Sequence, residues 1–163
     1  MKGKLKPSVY LSLFLGIDVL ILDRLHKFIQ IDVMGWRGGE VVPVTPFFDY
    51  RLLWNTGISY GMFDGLAPVM LLVIMGVAMA ALAWWWVRDN SLLTRLGIAL
   101  ALGGALSNAI DRVVYGAVAD FFHFYIGQYS FYVFNIADMA ISLGVIILII
   151  DVLRPAKDKQ SQS

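Results

Sequence analysis

The stretch Leu66 to Val87, "LAPVMLLVIMGVAMAALAWWWV", has no charged residue anywhere along it. It is long enough to cross a hydrocarbon core of about 30 Å as a helix. In lipid, every backbone polar group must be satisfied within the segment, so the run predicts a membrane helix rather than a buried soluble one. Three further runs read the same way: about 7–29, 92–110 and 136–153. The last carries "IADMAISLGVIILII". Only 15% of the residues are charged, against about a quarter in a soluble domain. The fold class expected is an all-α integral membrane protein with four transmembrane helices. It forms a single domain over 1–153, followed by a short polar tail, 154–163.

Lysine and arginine orient the spans. Lys2, Lys4 and Lys6 precede the first, Arg88 and Arg95 bracket the loop between the second and third, and Arg154, Lys157 and Lys159 follow the fourth. With four spans, all fall on one side. The opposite side holds only Arg37, Arg51 and Arg112 among several acids. Both termini are therefore expected in the cytoplasm. Trp84, Trp85 and Trp86 stand where an aromatic belt would meet that interface. The first run is too long and too charged at its far end for a cleaved signal peptide.

The two outer segments, about 32–65 and 111–135, differ. The first, with "GWRGGEVVPVTPFFDYRLLW", alternates β-branched residues with glycine and proline and predicts a small sheet or hairpin. In the second, "FFHFYIGQYSFYVF" suggests a loop half-sunk in the interface. Net charge is +1 and no basic patch with interleaved aromatics occurs, so no nucleic-acid partner is expected. The absence of cysteine excludes disulfides, thiolate metal sites and a thiol nucleophile.

Polar residues gather at one end of the spans. Asp23 and Lys27 are spaced i, i+4 and share a helix face. Asn108, Asp111 and Arg112 close the third run, Asn135 and Asp138 open the fourth, and Asn55 and Asp120 lie in the flanking outer segments. Asp23 with Lys27, and Asp111 with Arg112 or another cation, read as ion pairs. Asn108 and Asn135 read equally as interhelical glue or as support for a site. Gly103 and Gly104 in "GGALS" read as helix packing. Few cations remain on that side for Asp120 and Asp138 once Lys27 and Arg112 are assigned, so these two are the acid/base candidates. Two carboxylates brought together share a proton, and such a pair can activate water against an amide. His26 and His123 belong to no metal-ligand or "HExxH" pattern, no "GxSxG" occurs, and Ser59 reads as a turn residue. Asp18 lies alone in the middle of the first run.

Five ordered blocks, "LDRLHK", "NTGISYG", "GGALSNAIDR", "GAVADFF" and "FNIADMAISLG", resemble those of the lipoprotein signal peptidase (signal peptidase II) family of bacterial membrane aspartic peptidases. The resemblance covers about residues 9–153. It implies that Asp120 and Asp138 are catalytic and that Asp23, Lys27, Asn55, Gly104, Asn108, Asp111, Arg112 and Asn135 support them. It further implies a small extracytoplasmic β-cradle, a short interfacial helix and a location in the bacterial inner membrane with the site near the periplasmic face. The implied substrate is a prolipoprotein whose lipobox cysteine already carries diacylglycerol, cut just before that cysteine. Membrane lipid is the other expected partner. No cofactor or metal is implied, globomycin-type cyclic peptides are the expected inhibitors, and nothing demands more than a monomer. The chain departs from the family pattern at Arg24, His26, Ile58 and Ser107. A rival class, a small transporter or proton relay, would also place carboxylates in a membrane, but would step them across it.

Overall fold

The computed structural model describes residues 6–57 and 68–154. The end of "NTGISYG", including Ile58 and Ser59, the start of the second apolar run and the polar tail lie outside the described residues. Four long helices carry the apolar runs: α1, Pro7–Phe28; α2, Pro68–Arg88; α3, Leu92–Tyr115; and α4, Ile136–Leu153. Among the described residues, α2 from Val69, α3 and α4 are long and apolar enough to cross a membrane. The equally long α1 differs in carrying Asp18, Asp23, Arg24 and Lys27.

Helix α3 is the centre of the bundle and packs against the other three. Small residues bring the backbones together, which is how helices associate where lipid is as apolar as leucine. A Cβ on Gly103 would stand 2.4 Å from the Gly16 carbonyl oxygen of α1, and one on Gly104 would stand 2.4 Å from the Ala137 carbonyl oxygen of α4. Lower in the bundle, a Cβ on Gly144 would lie 2.5 Å from the Gly97 oxygen. By contrast α2 buries little besides Leu71 and keeps most of its apolar surface outward.

The ends of α3 and α4 are capped by their own sequence. Ser91 accepts from the Thr94 N–H at the start of α3. At its other end Gly116, with φ 74°, adopts the left-handed conformation that closes a helix and donates to the Arg112 carbonyl. Asn135 and Asp138 form a reciprocal capping box at the start of α4. At the opposite end of α4, buried Asp151 accepts from the hydroxyls of Thr94 (2.6 Å) and Ser91 (3.1 Å), joining it to the start of α3.

A four-stranded antiparallel sheet stands at the end of the bundle that holds the polar cluster. Its strands are β1, Val41–Thr45; β2, Phe48–Asn55; β3, Val118–Ile126; and β4, Tyr129–Ser130, in spatial order β1-β2-β3-β4. β1 and β2 form a hairpin within the segment expected to make one. β3 overturns the loop expected for the second outer segment: it is a central strand paired with β2, with Leu53 opposite Asp120. Residues 118–121 are buried whichever way they point, so the period-two alternation that betrays a strand is missing there. His123, expected in that loop, sits instead on β3, 2.6 Å from the Ser130 hydroxyl. Helix α1 does not stop at the sheet but continues as a π-helical turn, Ile29–Val33, and Ile31 packs on Leu52, Ala119 and Phe121.

Candidate active site

Lys27 is the hub of the polar cluster. Its fully buried ammonium lies 2.7 Å from Asp23 Oδ2, 2.6 Å from Asp111 Oδ2 and 3.2 Å from Asn108 Oδ1. One turn of α1 therefore crosslinks two acids and an amide. Asp23 spends its remaining capacity on the Ser107 hydroxyl (2.6 Å) and on the backbone N–H of Ala137 (2.9 Å) in the first turn of α4. Asp111 takes Arg24 as a second cation and also accepts from the Ala119 N–H of β3 at 3.1 Å. The cations of Asp111 are thus Lys27 and Arg24. Arg112 turns away and donates to the Gly57 carbonyl at 2.5 Å.

Asp120 and Asp138 are treated differently. Asp120 is fully buried on β3 and accepts from two side-chain amides, Asn135 Nδ2 at 2.7 Å and Asn55 Nδ2 at 3.0 Å. Asp138, on α4, accepts from Asn108 Nδ2 at 2.8 Å and from the Asn135 backbone N–H at 3.2 Å. Asn135 thereby touches both acids, one through its side chain and one through its backbone. Its amide also lies 3.1 Å from Asn108 Oδ1, closing a ring of amides around the pair. Among the described residues, neither acid is in an ion pair.

Electrostatics follow from this arrangement. Burial pushes the Asp120 carboxyl up, to about 8, and the neighbouring Asp138 charge adds to the rise; the amides of Asn55 and Asn135 offset part of it. Lys27 acts on Asp120 too, although Asp23 and Asp111 are the acids it touches. The site opens into a cavity of about 240 Å³. Asn55, Asn108, Arg112 and Asp138 form its polar wall, and Met75, Met79 and Leu82 of α2 form its apolar wall. The arrangement offers a buried acid that keeps its proton beside a second carboxylate, next to a channel between helices.

All ten candidate site residues lie in this one cluster. Gly104 joins it by geometry alone, since it sets how closely Ala137 and the first turn of α4 approach α3. Arg24 and Ser107, two of the departures from the family pattern, prove to be partners of Asp111 and Asp23. The third, His26, lies 2.5 Å from the Tyr50 hydroxyl and anchors α1 to β2. Reading along the chain gave no signal for these contacts, because the partners are separated by 87 residues for Arg24 and Asp111 and by 84 for Ser107 and Asp23. Asp18, half-buried on α1, makes no hydrogen bond or ion pair with any described residue, and nothing in the structure explains it.

Comparisons with known proteins agree on a family. The family model described as signal peptidase (SPase) II matches residues 15–154. A lipoprotein signal peptidase of Rhodopseudomonas palustris is 46% identical over 152 residues, covering 89% of this chain and 93% of the relative. One from Nitrobacter hamburgensis is 47% identical over 145 residues, covering 83% of this chain and 87% of that one. A solved bacterial membrane enzyme superimposes with a TM-score of 0.79 at 31% identity, over 94% of this chain and 92% of its own.

Proposed function

The chain belongs to the signal peptidase II family, a multi-pass membrane peptidase acting on lipoprotein signal peptides, and from that premise we propose that Asp120 and Asp138 are its catalytic dyad. The observation that carries this reading is the contrast in partners: two acids, one fully buried and one part-buried, held only by amides, beside two others that hold all the cations in contact.

The resting pair carries one proton, held on Asp120, where burial favours the neutral form. The ionised partner is Asp138, which accepts two N–H donors at the start of α4. Asp138 takes a proton from water as the water oxygen bonds to the scissile carbonyl carbon. Asp120 donates its proton to the carbonyl oxygen, giving a neutral tetrahedral intermediate. Collapse of that intermediate breaks the C–N bond. One hydroxyl returns its proton to Asp120, and Asp138 gives the proton it took to the departing amine. Asn135 and Asn108 keep the two carboxyls in register, and Lys27, Asp23, Asp111 and Arg24 hold the helices that present them.

The substrate is a prolipoprotein whose lipobox cysteine carries diacylglycerol, cut just before that cysteine. Its signal peptide lies in the cavity between α2 and the polar wall. Helix α1 is a fourth span despite its charges, because Asp23, Arg24 and Lys27 lie at its sheet end and are satisfied there. The sheet is then the extracytoplasmic cradle, and both termini lie in the cytoplasm of a cell whose inner membrane houses the enzyme. The protein acts as a monomer without a cofactor, and globomycin-type cyclic peptides compete for the cavity. A proton relay is disfavoured because the clustered acids sit at one end, while Asp151 at the other is spent on two hydroxyls.

Purified protein in lipid, given a diacylglyceryl-modified precursor, is expected to release the signal peptide. No release by well-folded protein would overturn the reading. Single cysteines placed at Lys4, Asn90 and Gly38 of this cysteine-free chain test the orientation. Only the one at Gly38 should react with an impermeant thiol reagent in intact cells.

A further inference from the structure

Successive side chains of a strand point to opposite faces, so the face of β3 that presents Asp120 also presents Phe122, Phe124 and Ile126. Rings from neighbouring segments extend this row. Phe48 of β2 stacks on Phe122 at 6.4 Å and packs on Phe124 at 4.7 Å between ring centroids. Phe134, next in sequence to Asn135, lies 5.8 Å from Phe122 and 6.0 Å from Phe124, and Phe131 meets it edge-on. The result is a continuous hydrocarbon path from the dyad along about 20 Å of strand. It ends in a cleft of about 420 Å³ flanked by Phe47, Phe124, Ile126, Tyr129 and Phe131. Outward exposure grows along the path, from fully buried Asp120 to 42% at Phe124 and 79% at Ile126.

An exposed apolar surface of this extent calls for a cover. None of the six side chains of the path carries a hydrogen-bonding atom. A peptide laid across it would lose water from its N–H and C=O groups without replacement, whereas hydrocarbon would lose nothing. The path also begins at Asp120 itself. If cleavage falls just before a lipidated cysteine, the acyl-bearing side chain leaves the site from the residue next to the scissile bond. We propose that the aromatic face of β3, continuing into the distal cleft, seats the acyl chains of the substrate's diacylglyceryl group. This rests on the peptidase reading above and adds to it the element that measures the lipid.

The test compares two precursors with the same peptide, one carrying two palmitoyl chains and one two octanoyl chains, in the same lipid. Phe124→Ser is expected to lower the long-to-short ratio of kcat/KM by about tenfold, because the distal surface is reached only by the longer chains. Ile126→Ser, at a more exposed position that leaves folding undisturbed, is expected to lower the ratio in the same direction. A palmitoyl chain bearing a diazirine near its end should label peptides spanning residues 122–131. An equal loss for both chain lengths would overturn the proposal and assign the face to bulk bilayer. In a parallel assay with both precursors shortened beyond the cysteine, a loss in the variants that disappears with the removed peptide would overturn it in favour of a peptide seat. If the wild type cleaves neither precursor, the peptidase reading falls and takes this proposal with it; wild-type cleavage with an unaltered ratio in both variants sinks this proposal alone.

Discussion

Asp23 and Asp111 sit beside Asp120 and Asp138 in one polar cluster, yet the first two are held by cations and the second two by amides. Lys27 touches both members of the first pair, and Arg24 reaches Asp111. The second pair receives Asn55, Asn108 and Asn135. A cation fixes a carboxylate as an anion, whereas an amide orients it and leaves its proton free to move. Asp120 is as fully buried as Asp23 and Asp111, while Asp138 is part-buried at the cavity wall, so partner chemistry, more than burial, separates a brace from a reactive group.

The comparison breaks most visibly in activity. Asp120→Asn or Asp138→Asn is expected to reduce cleavage by several orders of magnitude while the fold survives, since an amide in place of an acid relieves desolvation and repulsion. The double variant should be scarcely worse than either single one, because the two act as a unit. Cleavage assays on protein with a normal unfolding transition check this; appreciable activity in either single variant would remove that residue from the chemistry. Chelation should leave the wild type active, because the water is activated by a carboxylate.

Lys27→Met should act on the other side of the comparison. It leaves Asp23 and Asp111 buried without their shared cation and is expected to destabilise the fold by about 3–5 kcal/mol. Unfolding in mixed micelles measures the loss, and adding Asp23→Asn should restore part of it. A Lys27→Met protein of normal stability but no activity would move Lys27 from brace to reacting group.

The pH profile sharpens the contrast further. The native protein keeps on Asp120 a proton that the unfolded chain releases in the ordinary carboxylate range. Stability from this group is therefore full at acid pH and declines as pH rises toward about 8, levelling off above it. Activity should fall over the alkaline part of the same range as the acid member loses its proton. Asp120→Asn should flatten this part of the stability profile; an unchanged slope would show that another group titrates.

Ser107→Ala is the smallest step. It removes one donor from Asp23 but leaves Lys27 and the Ala137 N–H in place. A loss of about 1–2 kcal/mol with cleavage retained is expected.

Much of this was legible along the chain because membrane burial makes polar residues expensive, so each one kept there asks for a partner. Asp120 and Asp138 stood out by elimination of cations, and the amides proved to be what surrounds them. β3 was hidden for the opposite reason: with Ala119, Asp120 and Phe121 all fully buried, neither face showed a polar alternation to read. Arg24 and Ser107 were illegible as partners because only the crossing of α1 and α3 brings them to their acids. The hairpin of β1 and β2, half-exposed and rich in β-branched residues, kept its pattern and could be read.

Gly104 turns the bundle into a gauge. Its missing methyl lets α3 meet the Ala137 carbonyl, while Asp23 grips the N–H of that same residue from α1. The first turn of α4 is thus clamped between two neighbours, and Asp138 rides on it one residue later. A single added carbon at Gly104 would push that turn outward, and misplacing a reacting group by about 1 Å can cost about a hundredfold in rate. Gly104→Ala would therefore mimic the loss of a catalytic group in an assay, although the glycine has no side chain to contribute to the chemistry.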